Sequence, residues 1–148
     1  MQFVWFCLTL PEYRSVFYRR VGLLGRIMSI YCWPQKCLYI RTLGSCIGGG
    51  LVINHGHSTE INAKKIGKNC RVFQNVTIGT NGSSIGPTIG DNCFFGTGCV
   101  VLGEISIGNN VKIGANAIVV KDIPDNCTVV TRGTYIVKKN NEKCLIEI

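Results

Sequence analysis

From Ile47 onward the chain places a bulky apolar residue at every sixth position. The pattern is cleanest over residues 89–124, which divide into IGDNCF, FGTGCV, VLGEIS, IGNNVK, IGANAI and VVKDIP. The first position of each hexad is Ile89, Phe95, Val101, Ile107, Ile113 or Val119. Gly often follows (Gly90, Gly96, Gly108, Gly114), and the fifth position is Cys93, Cys99, Ile105, Val111, Ala117 or Ile123. A six-residue step walks around an α-helical surface instead of marking one face, and it exceeds the two-residue alternation of an isolated strand. It suits a prism in which each hexad supplies one short strand and one corner. The first residue then fills the interior, and Gly or Asn accepts the positive φ of a sharp bend. The pattern predicts an all-β solenoid, a hexapeptide β-helix of roughly four coils at about eighteen residues each.

Upstream, the step assigns Ile47, Ile53 and Thr59 to first positions and, after one extra residue, Ile66, Val72 and Ile78. The slip between Thr59 and Ile66 reads as a bulged corner. Ile78 and Ile89 are separated by about five additional residues. Those belong to TNGSSIGPT, whose Asn-Gly, Ser-Ser and Gly-Pro content predicts a loop leaving the prism.

Residues 1–44 lack the six-residue step. Val16, Leu23 and Ile27, with Tyr13 and Tyr31, form a helical stripe that predicts a cap on the open first coil. The expected organisation is a cap over 1–44, a β-helix over 45–138 and a basic tail over 139–148. Composition then adds a second use for the cap. Of the net charge of +8, much sits early: Arg14, Arg19, Arg20, Arg26, Lys36 and Arg41 face only Glu12. A basic, aromatic surface attracts polyanions, and residues 12–41 could rest peripherally on an anionic membrane. A phosphorylated cofactor is the other polyanion expected, and nucleic acid is not. Arg26 interrupts the apolar run, so no spanning helix is expected, and MQFVWFCLTL lacks the marks of a signal peptide. Nine cysteines without a CxxC pair read as free thiols used as small hydrophobes. That places the protein in the reducing cytoplasm, or at the inner face of the membrane. Flat, weakly polar outer faces predict a homotrimer about a threefold axis.

Both histidines lie in one hexad, Ile53-Asn54-His55-Gly56-His57-Ser58. Imidazole is the natural general base near neutral pH. A His-x-His pair can also ligate a metal, but two ligands are too few for a site, and no metal is expected.

In the segments NHGHSTEIN, KIGKNCRVFQNVTIG, Pro87-Thr88-Ile89-Gly90, KIGANAIVVKDIPDN and GTYIV, spread over residues 46–138, the chain resembles the hexapeptide-repeat acyltransferases, and among them the serine acetyltransferase-like group. The resemblance implies a left-handed parallel β-helix and a trimer holding acetyl-CoA, as co-substrate, between subunits. It implies that His55 is the base that deprotonates an acceptor hydroxyl, with backbone N–H groups stabilising the oxyanion. His57 matches a second His of sugar-directed relatives, and its place in the hexad suits packing of the corner. Gly79, Thr80, Gly96, Thr97, Gly114 and Ala115 fall where the family runs the pantetheine arm, and Lys121 with Lys138 or Lys139 where it meets the nucleotide phosphates. The sequence departs from serine acetyltransferases at three places. Asn54 replaces the Asp before the base, Ile40 replaces the Asp that orients it, and Ile85-Gly86-Pro87 stands where Arg-His-Pro holds the substrate carboxylate. Glu60 is a candidate replacement for the orienting carboxylate. These departures favour the neutral hydroxyl of a surface-polysaccharide sugar as acceptor. The alternatives are L-serine, giving O-acetylserine for cysteine biosynthesis, and a non-catalytic trimeric scaffold. A zinc lyase on the same prism would need three His per site.

Overall fold

The computed structural model describes residues 9–131 and the backbone of 135–139 and 142–147. Its body is a left-handed parallel β-helix of about five turns with a short helical segment at its start. Three faces run along it. Face A stacks β1 (Leu38–Ile40), β3 (Thr59–Ile61), β6 (Thr77–Gly79), β9 (Val100–Leu102) and β12 (Ile118–Val119). Face B stacks β4 (Lys65–Ile66), β7 (Thr88–Ile89) and β10 (Ser106–Ile107), and bridges from Ile47 to Ile66 and from Ile107 to Ile123 extend it to five rungs. Face C stacks β2 (Val52–Ile53), β5 (Arg71–Val72), β8 (Phe94–Phe95), β11 (Lys112–Ile113) and β13 (Thr128–Val129). All pairing within these faces is parallel and in register, so like positions of successive coils lie over one another. The buried column Ile53, Val72, Phe95, Ile113 is one result, and Ile61, Ile78, Val101, Val119 is another.

The extra turn relative to the four expected comes from β1. It lies inside the segment read as cap, because seven residues separate Ile40 from Ile47 and the six-residue step fails there. A second difference concerns register. Ile61, not Thr59, pairs with Ile78, while Thr59 pairs with Leu38. From face C to face A, six residues link Val72 to Ile78, Phe95 to Val101 and Ile113 to Val119, but eight link Ile53 to Ile61. The irregular corner is therefore the histidine corner. Thr59 misled the pattern because it is itself fully buried, its hydroxyl donating to the His57 carbonyl at 3.2 Å. The five-residue excess between Ile78 and Ile89 is present as expected, since eleven residues separate them.

Corners between faces B and C are closed by Asn69, Asn92, Asn110 and Asn126, all at positive φ. Their side-chain amides form a ladder, with Asn110 Nδ2 donating to Asn126 Oδ1 at 2.9 Å and Asn92 Nδ2 to Asn110 Oδ1 at 3.2 Å. Asn adopts the left-handed region at less cost than other non-glycine residues, which is why it repeats there.

The helical segment comprises α1 (Pro11–Val21) and α2 (Leu23–Met28), broken at Gly22, whose φ is 62°. Pro11 suits the first helical turn because its missing N–H has no intrahelical acceptor there. The segment caps the first coil through Val16, which joins the core, and through arginines that donate to its carbonyls. Arg19 Nε reaches Thr42 O at 2.8 Å, and the Arg20 guanidinium donates to Gly48 O. The expected stripe does not form one buried face, because the break at Gly22 turns Leu23 and Ile27 outward. β14 (Tyr135–Lys139) pairs antiparallel with β15 (Glu142–Glu147), so the expected tail is a strand along most of its length. No helix among the described residues is long and apolar enough to cross a membrane.

The seven described cysteines are free, and Cys70, Cys93 and Cys99 are buried. Burial pushes the Cys99 thiol up to about 12, and the Cys70 thiol is pushed up by its hydrogen bonding with Cys93 together with burial. A thiol is nucleophilic only as thiolate. In native protein at pH 8, alkylation is expected to mark exposed Cys37 within minutes and to spare Cys99 until the β-helix unfolds, as peptide mass mapping can show. Early labelling of Cys99 would contradict the packing described.

Candidate active site

The two additional residues make the corner from Ile53 to Ile61 bulge, and both imidazoles are exposed on it. His55 has φ 54° and Ser58 φ 50°. His adopts the left-handed region more readily than most residues but Ser does not, so what strain the corner holds sits at Ser58. The corner is tied down by its backbone. The His57 N–H donates to the His55 carbonyl, and the His57 carbonyl accepts from Asn75 N at 3.0 Å.

The two rings have different surroundings. Gln35 Nε2 lies 3.1 Å from Nδ1 and 3.3 Å from Nε2 of His57, holding that ring against the segment after α2. His55 instead lines a cleft of about 570 Å³ between α1 and the first coil, together with Asn54, Glu12, Tyr13, Phe17 and Arg20. Asn54 is half-buried, and its backbone N–H donates to Val72 O at 2.8 Å. Glu12 is the one carboxylate of that lining. A Cβ added at Gly56, next to His55, would lie 3.4 Å from Glu12 Cγ and 3.1 Å from Leu38 Cδ2. Gly56 thus lets α1 pack closely on the corner, with Glu12 and His55 lining the same cleft. Glu60, the candidate from sequence, is engaged elsewhere: its Oε1 is 3.0 Å from Arg41 Nε.

Below His55 the corner continues as a column. The registers of face C put Asn54, Phe73, Gly96 and Gly114 in one row. The bonds from Asn75 N to His57 O, Gly98 N to Gln74 O and Asn116 N to Thr97 O put His57, Gln74, Thr97 and Ala115 in the next, with His55 on the bulge before them. Four of the six residues expected along the pantetheine arm, Gly96, Thr97, Gly114 and Ala115, therefore share one corner with His55. Gly79 ends β6 and Thr80 follows it at another corner, and exposed Lys121 follows β12 there as well. The Lys138 and Lys139 side chains lie outside the described residues. Gly96 has a structural reason of its own, because a Cβ there would meet Ala115 N at 2.7 Å. Gly79 has room, its added Cβ first meeting Leu102 Cδ2 at 3.7 Å.

Gln74, directly beneath His57, was not singled out from the sequence. Its Oε1 is buried without a hydrogen-bond partner among the described residues. Such an acceptor is costly unless a ligand supplies the donor, and an amide-bearing arm lying along this corner would do so. The signal was available once the register was known: Gln74 precedes Ile78 by four positions, as His57 precedes Ile61. Glu12 carried a weaker one, as the single acid among the early cations. No group of three His, Cys, Asp or Glu among the described residues could hold a metal.

The repeat and the coil have counterparts among known proteins. Residues 86–121 match the bacterial transferase hexapeptide (six repeats) family. Serine acetyltransferase of Bacillus subtilis is 41% identical over 104 residues, covering 68% of this chain and 48% of that protein. That of Synechococcus elongatus is 43% identical over 91 residues, covering 59% of this chain and 37% of that protein. Among solved structures, serine acetyltransferase isoform 3 of Entamoeba histolytica, in complex with cysteine, superposes with a TM-score of 0.69 at 33% identity, over 88% of this chain and 51% of that one. Neisseria gonorrhoeae serine acetyltransferase in complex with serine gives 0.57 at 28%, over 82% of this chain and 50% of that one. The chain thus spans about half the length of these relatives, or less. Repeat and coil together make this a hexapeptide-repeat chain, similar to serine acetyltransferases over about half of their length.

Proposed function

We propose that this chain is an acetyl-CoA-dependent O-acetyltransferase of the serine acetyltransferase type, with an amino-acid hydroxyl, L-serine first, as acceptor. The observation that carries the proposal is that His55 lines the cleft, on the corner that also carries Gly96, Thr97, Gly114 and Ala115. His55 takes the hydroxyl proton as that oxygen attacks the thioester carbonyl. Collapse of the tetrahedral intermediate breaks the C–S bond, and the proton returns to the departing CoA sulfur. Gln74 Oε1 accepts a hydrogen bond from an amide of the pantetheine arm.

The acceptor reading differs from the one the sequence favours. A sugar finds no support among the relatives, which are serine acetyltransferases, two of them solved with serine or cysteine bound. The loss of Arg-His-Pro left an amino-acid carboxylate without a partner, and Arg20, which lines the cleft, can take that part through its remaining N–H groups. Glu12 positions His55 and stabilises the imidazolium, in place of the Asp replaced by Ile40. The assembly is a trimer. Outward apolar residues on faces A and C support it, among them Tyr39, Val52, Val130 and Ile118, the last 71% exposed.

The test is release of free CoA thiol from acetyl-CoA, with L-serine set beside a panel of sugars. Serine-dependent release is expected. Arg20→Gln should raise the KM for serine about tenfold to a hundredfold, whereas Glu12→Gln should lower kcat on the order of tenfold or more with little change in KM. Silence with every acceptor, together with no heat of CoA binding, would leave the scaffold reading.

A further inference from the structure

We infer that α2 and the turn after it form a docking surface for an anionic lipid bilayer. α2 has six residues, and an isolated helix that short has no stability of its own. It packs on α1 through Gly25, where an added Cβ would lie 2.4 Å from Tyr18 O. Its large apolar side chains point the other way: Leu23 is 73% exposed, with Leu24, Ile27 and Met28 beside it. The turn adds Ile30, Tyr31 at 85% and Trp33. Water-exposed apolar residues scattered singly are ordinary, but seven within eleven positions mark a contact surface.

Charge decides what covers it. Lys36 Nζ stands 5.9 Å from the centre of the Trp33 ring, Arg26 is exposed within α2, and Arg14 Nε donates to Trp33 O at 3.0 Å. Between residues 9 and 41 the single acid is Glu12, which lines the cleft on the other side of α1. A second copy of this face would bring cations against cations. Anionic headgroups neutralise them, while Trp and Tyr favour the depth at which a bilayer turns from apolar to polar. The inference is independent of the acetyl-transfer reading, since it needs only the helical face and its cations.

The test is cosedimentation of the full chain with phosphatidylcholine vesicles, with and without about a third phosphatidylserine. Binding is expected to the anionic vesicles at low salt and to fall as salt rises. Arg26→Gln should weaken it about fivefold. Leu23→Asp with Ile27→Asp should abolish it, at unchanged circular dichroism, because both side chains are exposed. Tyr31→Ser with Trp33→Ser gives a second variant should the first fail to fold. Three results would overturn the inference: no binding to anionic vesicles at low salt, equal binding to neutral ones, or apolar variants that bind like the parent. Self-association removed by the same variants, without lipid binding, would assign the face to a second copy and overturn it as well.

Discussion

Replacing His55 is expected to slow serine-dependent CoA release by about a hundredfold to ten-thousandfold, the range over which a positioned general base contributes. Asn is the cleaner replacement than Ala. Six other left-handed corners, Asn69, Asn75, Asn92, Asn110, Asn116 and Asn126, are already held by that residue, so His55→Asn keeps φ near 54° without new strain. What it removes is the imidazole that lines the cleft beside Glu12. His57→Asn should cost far less, on the order of tenfold, because its ring is turned to Gln35 and acts on the shape of the corner. The comparison is made at saturating acetyl-CoA, with CoA binding measured separately for each variant. If His57→Asn abolished turnover while His55→Asn left it within a few-fold of the parent, the two roles would be exchanged.

The periodic part of this fold was legible because each coil repeats one demand, an apolar residue in the interior every six positions. From face B to face C the demand never lapses: Ile47 to Ile53, Ile66 to Val72, Ile89 to Phe95, Ile107 to Ile113 and Ile123 to Val129 each span six residues. It lapses at the His corner, where Thr59 is as buried as Ile61 and an apolar count cannot choose between them. Only pairing across coils identifies Ile61 as the partner of Ile78, and so places the two extra residues around His55. The first turn was missed for a related reason, since Ile40 has no sixfold neighbour and is recognised by its partner Ile61. Glu12 is harder still. Its nearness to Gly56 follows from how α1 docks on the coil, and that depends on Arg19 and Arg20 reaching carbonyls more than twenty residues away.

Phe95→Ala is expected to cost about 3–5 kcal/mol of folding stability, against a total of roughly 5–15 for a domain. Phe95 is fully buried in face C, with Val72 on the rung before it and Ile113 on the rung after, both buried too. A solenoid coil is stabilised by its two neighbours and by nothing more distant. The void left by a missing ring would therefore weaken both interfaces of the third coil at once, and the regular in-register backbone leaves little room for collapse into it. Urea denaturation followed by circular dichroism, at fixed protein concentration, measures the loss. Ile118→Ala is the informative contrast. That side chain is 71% exposed on the single chain, so in a monomer the substitution should change stability by no more than about 0.5 kcal/mol. In a trimer that buries face A, it should instead lower the midpoint in a way that more protein restores. A Phe95→Ala variant as stable as the parent would mean that the third coil is not packed as a rung between two others.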